Sequence, residues 1–309
     1  MKDRIKSLLP GALVRPLQLL YYHLWAKHRR GPQLTGRDWS LDLAVPESKR
    51  RPVLEAVMKG EITQPSESGN LHVLHCAQPK SAGLHMVQLL SLTLDFKNHQ
   101  IGFDRGGGDI YFPRLLAAGF TGRNTISHCH ATAKATVLKL IRTLRLRPLI
   151  QTRNLLDALV SRRDMLVRDQ RAPKILSDDG LERFLRGSGE YQLDVVSDLF
   201  AHNYINFYVG WNDLRGDADL RPIFISYEEI QQDEVALVRR VARELGVEVS
   251  ERRVRDFSER IAEKGGINFS RGVSGRGREL FNERQIDELR EKARMLGCYD
   301  EDFLGFSVE

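Results

Sequence analysis

The stretch LHVLHCAQPKSAGLHMVQLL, residues 71–90, changes its hydrophobic pattern halfway along. LHVLHCA is strand-like, residues 79–83 interrupt it, and the following apolar residues recur at three- and four-residue steps, which is typical of a helix. Three further strand-like segments precede helical patterns in the same way: NTISHCHA (124–131), RPLIQTR (147–153) and LRPIFISYEEI (220–230). Strands that alternate with helices predict an α/β fold in which a parallel sheet of about four or five strands is flanked by helices.

Composition limits the class of protein and the class of partner. The chain has 309 residues, 41% hydrophobic and 28% charged, which is enough to bury a large core. Lysine and arginine number 47 against 41 acidic residues, and the net charge of +6 favours anionic partners. The three cysteines lie far apart in the sequence, which predicts neither a disulfide framework nor a zinc site and favours a reducing, cytoplasmic location.

The N-terminal part of the chain differs from the rest. We interpret residues 1–65 as an appendage and residues 66–309 as the α/β domain. The longest uncharged run near the N-terminus, Pro16–Ala26, has eleven residues, whereas a membrane-spanning helix needs roughly 20. Residues 1–30 have two interpretations: an amphipathic helix in peripheral contact with the inner face of a membrane, or a helix packed on the domain.

The loop between the first predicted strand and helix has features of an anion site. A helix N-terminus that follows a tight loop presents backbone N–H groups to a ligand, and Lys80 adds a full positive charge. The loop contains neither the ATPase motif GxxxxGK[ST] nor the dinucleotide motif GxGxxG. Taken alone, it is equally consistent with a solvated lysine at the start of a helix.

A second candidate anion site follows the third predicted strand. Arg153 ends that strand, and Ser161 lies eight residues later, two turns into the next helix. An arginine fork and a hydroxyl can hold a phosphate from two sides. Asp157 falls near the start of the helix, where a carboxylate is favoured. The alternative interpretation is a surface arginine, a helix cap and a solvated serine.

Together, these two loops resemble the motifs of the sulfotransferase family that depends on 3′-phosphoadenosine 5′-phosphosulfate (PAPS). The family's 5′-phosphosulfate loop reads PKSGTTW, where residues 79–85 read PKSAGLH; its 3′-phosphate segment reads RNPxDxxVS, where residues 153–161 read RNLLDALVS. The resemblance implies a P-loop-like sulfotransferase architecture, and transfer of a sulfuryl group from the cofactor PAPS to an acceptor hydroxyl by in-line displacement. It also implies the cofactor-binding residues of the two loops: Lys80, Ser81, Ala82, Gly83, Leu84, Arg153 and Ser161.

Later segments are similar to further family elements, in the family's order. FISYEEI (224–230) resembles the YEDL element, which implies that Tyr227 lies beside the adenine. Residues 269–293, FSRGVSGRGRELFNERQIDELREKA, resemble the RKGxxGxW…F segment, which implies that Arg271 and Gly272 contact the cofactor and that Arg271 reaches the 3′-phosphate. The resemblance covers roughly residues 71–300.

The chain also departs from the family motifs. Ala82 replaces a glycine, Gly83 and Leu84 replace two threonines, and Gly277 stands where the late tryptophan would be. Two hydroxyl donors to the 5′-phosphate are therefore missing. These changes leave three interpretations open: a looser cofactor site, a distant subfamily, or a pseudoenzyme that binds the nucleotide without turnover. The retained cationic residues favour continued cofactor binding.

SHCHA (127–131) occupies the place of the family's KTH element, which bears the catalytic base. Histidine suits that role near neutral pH, and alternation along a strand places His128 and His130 on the same face. We favour His130, because its 23-residue distance from Arg153 is nearer the family's usual separation. Lys80 would act beside it, neutralising the charge that develops on the bridging oxygen. This scheme requires no metal.

Two other classes of function were compared with this interpretation. A P-loop-type kinase would need a Walker-type lysine–hydroxyl pair and a magnesium carboxylate on a strand, and the sequence shows neither. A nucleic-acid binder would need a basic face with interleaved aromatic residues, and RTLRLRP and SRRDMLVR are more simply solvated helix faces, so no nucleic-acid partner is expected.

The acceptor would bind in two variable loops. Residues 97–123 and 170–200 mix glycine, aromatic and charged side chains, which suits a small molecule or a glycan, such as a carbohydrate or a lipid-linked glycan. The sequence leaves the oligomeric state open.

Overall fold

The computed structural model describes residues 70–98, 102–103, 109–110, 124–170, 177–263 and 274–306. Within those ranges, five strands form a parallel sheet in the order β2-β5-β1-β6-β7, and two form a separate antiparallel pair, β3 with β4. The strands are β1 (His72–Ala77), β2 (Lys97–Asn98), β3 (Gly102–Phe103), β4 (Asp109–Ile110), β5 (Thr125–Cys129), β6 (Arg147–Thr152) and β7 (Ile223–Ser226).

Helices connect and cover the strands. A short π-helical segment, Ser197–Ala201, joins two of them. In the described residues the α-helices are α1 (Gly83–Thr93), α2 (Ala135–Thr143), α3 (Leu155–Asp169), α4 (Asp178–Arg186), α5 (Gly189–Val196), α6 (His202–Asn212), α7 (Tyr227–Leu245), α8 (Glu251–Glu263), α9 (Arg276–Leu280), α10 (Glu283–Met295) and α11 (Glu301–Leu304).

Each face of the sheet is covered by an apolar core, as is usual for parallel sheets. Successive residues of β1 point to opposite faces, so Val73 packs with residues of α1, α7 and α8, whereas Leu74 packs with residues of α2 and α6. A third cluster lies among the helices and includes Leu156 of α3, Tyr204 of α6 and Leu289 of α10. The cores therefore hold the sheet between two helical layers and attach α3 to the C-terminal helices.

The sheet and its helical layers confirm the predicted α/β class. The strand predicted at 147–153 is β6, and the one predicted at 124–131 is β5, shorter at both ends. The segment 220–230 was wrong as a single strand, because the chain becomes helical at Tyr227. Ser226 caps that helix: its hydroxyl accepts from the Glu229 N–H at 3.1 Å, and the Glu229 carboxylate accepts from the Ser226 N–H at 2.8 Å.

The predictions for the N-terminal appendage, residues 1–65, and for its contact with a membrane lie outside the described residues, and the domain boundary stays a prediction. Among the helices that the structure describes, none combines the length and the apolar composition needed to cross a bilayer.

Parallel pairing brings the candidate functional loops together. β1 pairs with β5 on one side and with β6 on the other, and β6 pairs with β7. Because parallel strands all end at the same edge, the loops after these four strands leave the sheet side by side. These loops carry the residues singled out from the sequence.

A buried carboxylate fixes the late glycine-containing segment on α3. Asp157 accepts hydrogen bonds from the backbone N–H groups of Gly275 and Gly277, at 2.8 and 2.7 Å. Gly277 lies so close to α3 that an added Cβ would be 2.4 Å from Leu156 Cβ and 2.6 Å from the Leu156 carbonyl carbon. This contact leaves no room for a side chain at position 277, because α9 packs directly on the backbone of α3.

We expect Gly277→Ala to lower the free energy of unfolding by roughly 1–3 kcal/mol, because its methyl group overlaps α3 backbone that cannot move aside cheaply. Gly216→Ala is the matched control, since an added Cβ there meets nothing within 4 Å, and a change within about 0.5 kcal/mol is expected. Urea denaturation of both variants checks this, and equal stability of the two would contradict the packing described.

Candidate functional site

The loop between β1 and α1, residues 78–82, has a constrained backbone. Lys80 and Ala82 have φ angles of 74° and 66°, a left-handed region that costs residues other than glycine about 1–2 kcal/mol each. Ser81 between them is buried, and its N–H and its hydroxyl donate to the Gln78 carbonyl at 3.2 and 2.7 Å. The Gln151 side chain of β6 donates to the Ser81 carbonyl. Contacts within the loop and from a neighbouring strand therefore hold it in shape.

The N-terminus of α1 follows this loop and has the features of an anion site. Within the described chain, α1 has no side-chain cap at Ala82 and no acidic residue in its first turn. Gly83 begins the helix against the ring of His128, and an added Cβ would be 2.4 Å from His128 Cε1. Leu84 is half-exposed and carries no hydroxyl, so the polar groups that this turn can offer are backbone N–H groups.

Arg153 directly follows β6 and contacts the first loop and the starts of α3 and α7. The residue is only 7% exposed, and its side chain donates to the Lys80 carbonyl at 3.1 Å. Its guanidinium lies 3.9 Å from the Asp157 carboxylate and 3.9 Å from the centre of the Tyr227 ring. The arginine predicted at the 3′-phosphate is thus a buried cation beside the first loop, and not a solvated surface residue.

Positive charge concentrates around Lys80. The pKa of the Lys80 ammonium is lowered to about 8, mainly by burial and in addition by the positive charges of Arg162, Arg168 and Arg153, while Asp169 acts in the opposite direction. A cation whose pKa is depressed by burial and by other cations is stabilised when an anion binds beside it. The electrostatics of this region therefore favour a multiply charged anion.

Two further residues predicted to bind the cofactor lie on α7 and α3. Tyr227 is buried at the start of α7 with its ring against Arg153, and burial raises the pKa of its phenol. Ser161 is half-buried on α3, two turns beyond Arg153. Arg271 and Gly272 lie outside the described residues.

His128 and His130 lie together at the end of β5. Their ring centres are 5.0 Å apart and the rings are nearly perpendicular, at 82°. His130 Nδ1 lies 2.6 Å from the Ala77 carbonyl, which can only accept, so Nδ1 carries a proton and a neutral His130 has its lone pair on Nε2. His128 is buried more deeply, and burial lowers its pKa well below the ordinary histidine value.

The structure also contains polar residues that the motifs did not single out. Gln78 accepts the Arg153 backbone N–H at 3.1 Å, and Gln151 bonds both to the first loop and to His75. These contacts join positions at least 70 residues apart, so only the register of the sheet brings them together. His85 is buried and contacts Glu234 and Phe257.

This arrangement combines a cationic site for a phosphate or sulfate group with imidazoles that can accept a proton. Lys80, Arg153 and the N-terminus of α1 supply the positive charge. His130 lies beside them, because Ala77, which accepts its Nδ1–H, directly precedes the first loop. The geometry therefore suits displacement at an anionic group with removal of a proton from the attacking nucleophile.

Comparison with known proteins identifies the fold. No protein-family model and no curated protein matches the sequence. The crystal structure of mouse sulfotransferase SULT7A1 complexed with PAP matches with a TM-score of 0.56 and 14% identity, over 82% of this chain and 92% of that one. Retinol dehydratase in complex with androsterone and inactive cofactor PAP matches with a TM-score of 0.47 and 14% identity, over 80% and 85%. The first of these likenesses shows that the chain has the sulfotransferase fold.

We expect the site histidines to make the protein sensitive to acid. Burial lowers the pKa of His75 to about 4, whereas an unfolded chain gives a histidine pKa near 6.5. Between these values the unfolded chain binds a proton that the folded chain does not, so the free energy of unfolding falls as the pH falls, by about 3 kcal/mol for this group alone.

Urea denaturation at pH 7 and pH 4.5 tests this expectation. The loss of stability between the two pH values should be smaller in His75→Leu than in the wild type. The control is His202→Leu, which removes an exposed histidine. Its loss of stability between the two pH values should equal that of the wild type. An identical loss in His75→Leu and the wild type would contradict the prediction.

Proposed function

We propose that this chain, which has the sulfotransferase fold, is a PAPS-dependent sulfotransferase that acts on an acceptor hydroxyl. The observation that carries the proposal is the convergence of Lys80, buried Arg153 and the uncapped start of α1 at one edge of the sheet, beside His130. The motifs that resemble the family thus lie next to one another in the structure, although they are 73 positions apart in sequence.

The donor set at this edge fits a nucleotide with phosphate groups at two positions. Lys80 and the backbone of residues 81–84 would hold the 5′-phosphosulfate, while Arg153 and Ser161 would hold the 3′-phosphate and Tyr227 would lie beside the adenine. The two clusters are adjacent, since Arg153 donates to the Lys80 carbonyl. A cofactor with a single phosphate group would leave one cluster without its anion.

Each group of the chain has a separate task in the proposed reaction. PAPS, when bound, supplies the sulfuryl group that passes to the acceptor oxygen. Lys80 neutralises charge on the leaving phosphate, and burial strengthens this interaction compared with water. His130 takes the hydroxyl proton on Nε2, because its Nδ1–H is donated to Ala77. His128 is the alternative base.

A specific observation favours a second candidate function, nucleotide binding without turnover. Gly83 and Leu84 stand in place of the two threonines of the family loop, and Leu84 presents a half-exposed apolar side chain. Release of labelled sulfate to an acceptor would distinguish the enzyme from such a pseudoenzyme, and a magnesium requirement would indicate a kinase. As acceptor we propose a small molecule or a glycan, and a screen would begin with carbohydrates and lipid-linked glycans.

Calorimetry with adenosine 3′,5′-bisphosphate tests the cofactor site directly. We expect micromolar binding to the wild type, with much weaker binding of ADP and AMP, which lack the 3′-phosphate. Arg153→Ala should weaken bisphosphate binding by about 10- to 100-fold, because it removes a charge-assisted contact. The matched control is Arg215→Ala, which loses a similar stacking contact, with Phe224 at 4.0 Å, and should bind normally. Equal binding of ADP and the bisphosphate would contradict the proposal.

The pH dependence of this binding tests the role of Lys80. In the free protein the pKa of Lys80 is lowered to about 8, so its charge is lost as the pH rises through that value. We expect bisphosphate affinity to fall between pH 7.5 and pH 9.5, by up to about tenfold per pH unit at the high end. Lys80→Arg keeps its charge over this range and should give a flatter profile. Parallel profiles for the two proteins would exclude Lys80 from the anion site.

A further inference from the structure

A row of polar side chains crosses three neighbouring strands beneath the first turn of α1. His128 on β5, His75 on β1 and Gln151 on β6 are 8%, 0% and 0% exposed. His75 pairs with His128 in the strand register, and Gln151 is the partner of Ala77, two residues further along β1. Buried polar side chains are costly unless they are hydrogen-bonded, so their bonds carry information about proton positions.

The direction of each hydrogen bond in the row can be assigned in turn, starting from the Ser81 carbonyl at the end of the row that meets the first loop. The Ser81 carbonyl can only accept, so the Gln151 amide must turn its N–H₂ group toward Ser81. The Gln151 oxygen then faces His75 Nε2, at 2.7 Å. Since that oxygen can only accept, His75 carries a proton on Nε2.

The same reasoning fixes the proton on the next ring. Burial lowers the pKa of His75 to about 4, so the ring is neutral at pH 7 and its Nδ1 has a lone pair. His128 Nδ1 lies 3.3 Å from His75 Nδ1. The proton between them therefore belongs to His128, whose own lone pair is left on Nε2.

The ring of His128 in turn packs against His130, the proposed base. Its ring contacts His130 edge to face, with the ring centres 5.0 Å apart, and on another side the start of α1 at Gly83 leaves no space for a methyl group. This ring and the Ala77 carbonyl are two of the contacts that orient His130. A rotation of His128 would remove one of them.

We propose that Gln151 and His75 are positioning residues, which hold His128 as the Nδ1–H tautomer and thereby orient the ring of His130. The inference rests on the proposed function, because it takes His130 as the base. The hydrogen bonds from the Ser81 carbonyl through Gln151 and His75 to His128 form a relay. This relay begins at the loop that would hold the phosphosulfate and ends at the ring beside the base. The loop backbone is thus hydrogen-bonded, through Gln151 and His75, to the His128 ring on which the base packs.

Nitrogen-15 spectra of histidine-labelled wild-type protein at pH 7 test the tautomers without any substrate. The expected result is a protonated Nε2 on His75 and a protonated Nδ1 on His128, with signals assigned from single histidine variants. A His128 ring protonated on Nε2, or on both nitrogens, would overturn the proposal. The variants serve only to assign the signals, and the measurement does not depend on enzymatic activity.

Two leucine variants test the consequence for the base. His75→Leu should let His128 exchange between tautomers and should lower kcat by about tenfold or more, with adenosine 3′,5′-bisphosphate affinity within about twofold of wild type, since Lys80 and Arg153 are untouched. The matched control is His72→Leu, which removes a buried histidine that bonds across the same two strands, to Thr125 at 2.7 Å. His72 points to the opposite face, so the control should change neither kcat nor the His128 tautomer.

The outcomes separate this inference from the proposed function. Equal kcat and an unchanged His128 signal in His75→Leu would overturn the positioning role. Failure of the wild type to bind the bisphosphate would instead overturn the sulfotransferase proposal, and the spectra would still decide whether the relay has the tautomers inferred. If His75→Leu does not fold, the wild-type spectra remain the deciding measurement.

Discussion

The candidate site depends on the burial of one guanidinium group. Arg153 is held by the Lys80 carbonyl in the first loop, by the Asp157 carboxylate in the first turn of α3 and by the Tyr227 ring at the start of α7. A buried cation is costly unless it is compensated, so these three segments depend on one another in this arrangement. Asp157 extends the dependence further, because the same carboxylate accepts from Gly275 and Gly277 and holds the C-terminal segment on α3.

Much of the fold could be predicted from the sequence, because parallel sheets leave a strong local signal. Strands buried on both faces are continuous apolar runs, and the helices between them have apolar residues at three- and four-residue steps. The exception at Tyr227 has a local cause as well. The capping box of Ser226 and Glu229 starts α7 there, and the helix is kinked at Asp233, where the apolar pattern alone places its beginning. The two-residue strands carry too little pattern to be predicted.

The site was predictable only as far as its residues lie within recognisable motifs. Lys80, Arg153, Ser161 and Tyr227 were singled out from two short loops and a strand end, and the structure brings Lys80, Arg153 and Tyr227 together. In the polar row only His128 lies in such a motif, whereas His75 and Gln151 have no such signal. The members of the row become neighbours through strand register, which depends on packing across the whole sheet and not on nearby residues. Asp157 lies at the helix start predicted for it, in the first turn of α3, but the bonds of its carboxylate to backbone more than 110 residues away have no signal in the sequence.

The left-handed backbone at Lys80 and Ala82 has a consequence for molecular selectivity. Hydrogen bonds with Gln78 and Gln151 order the loop when the protein folds, so the binding of a ligand does not carry the entropic cost of ordering it. A loop that is already ordered also adapts poorly to a different ligand. An anion of different size or geometry would have to break contacts that belong to the core of the sheet, and discrimination would arise from the stiffness of the receptor as much as from its charge.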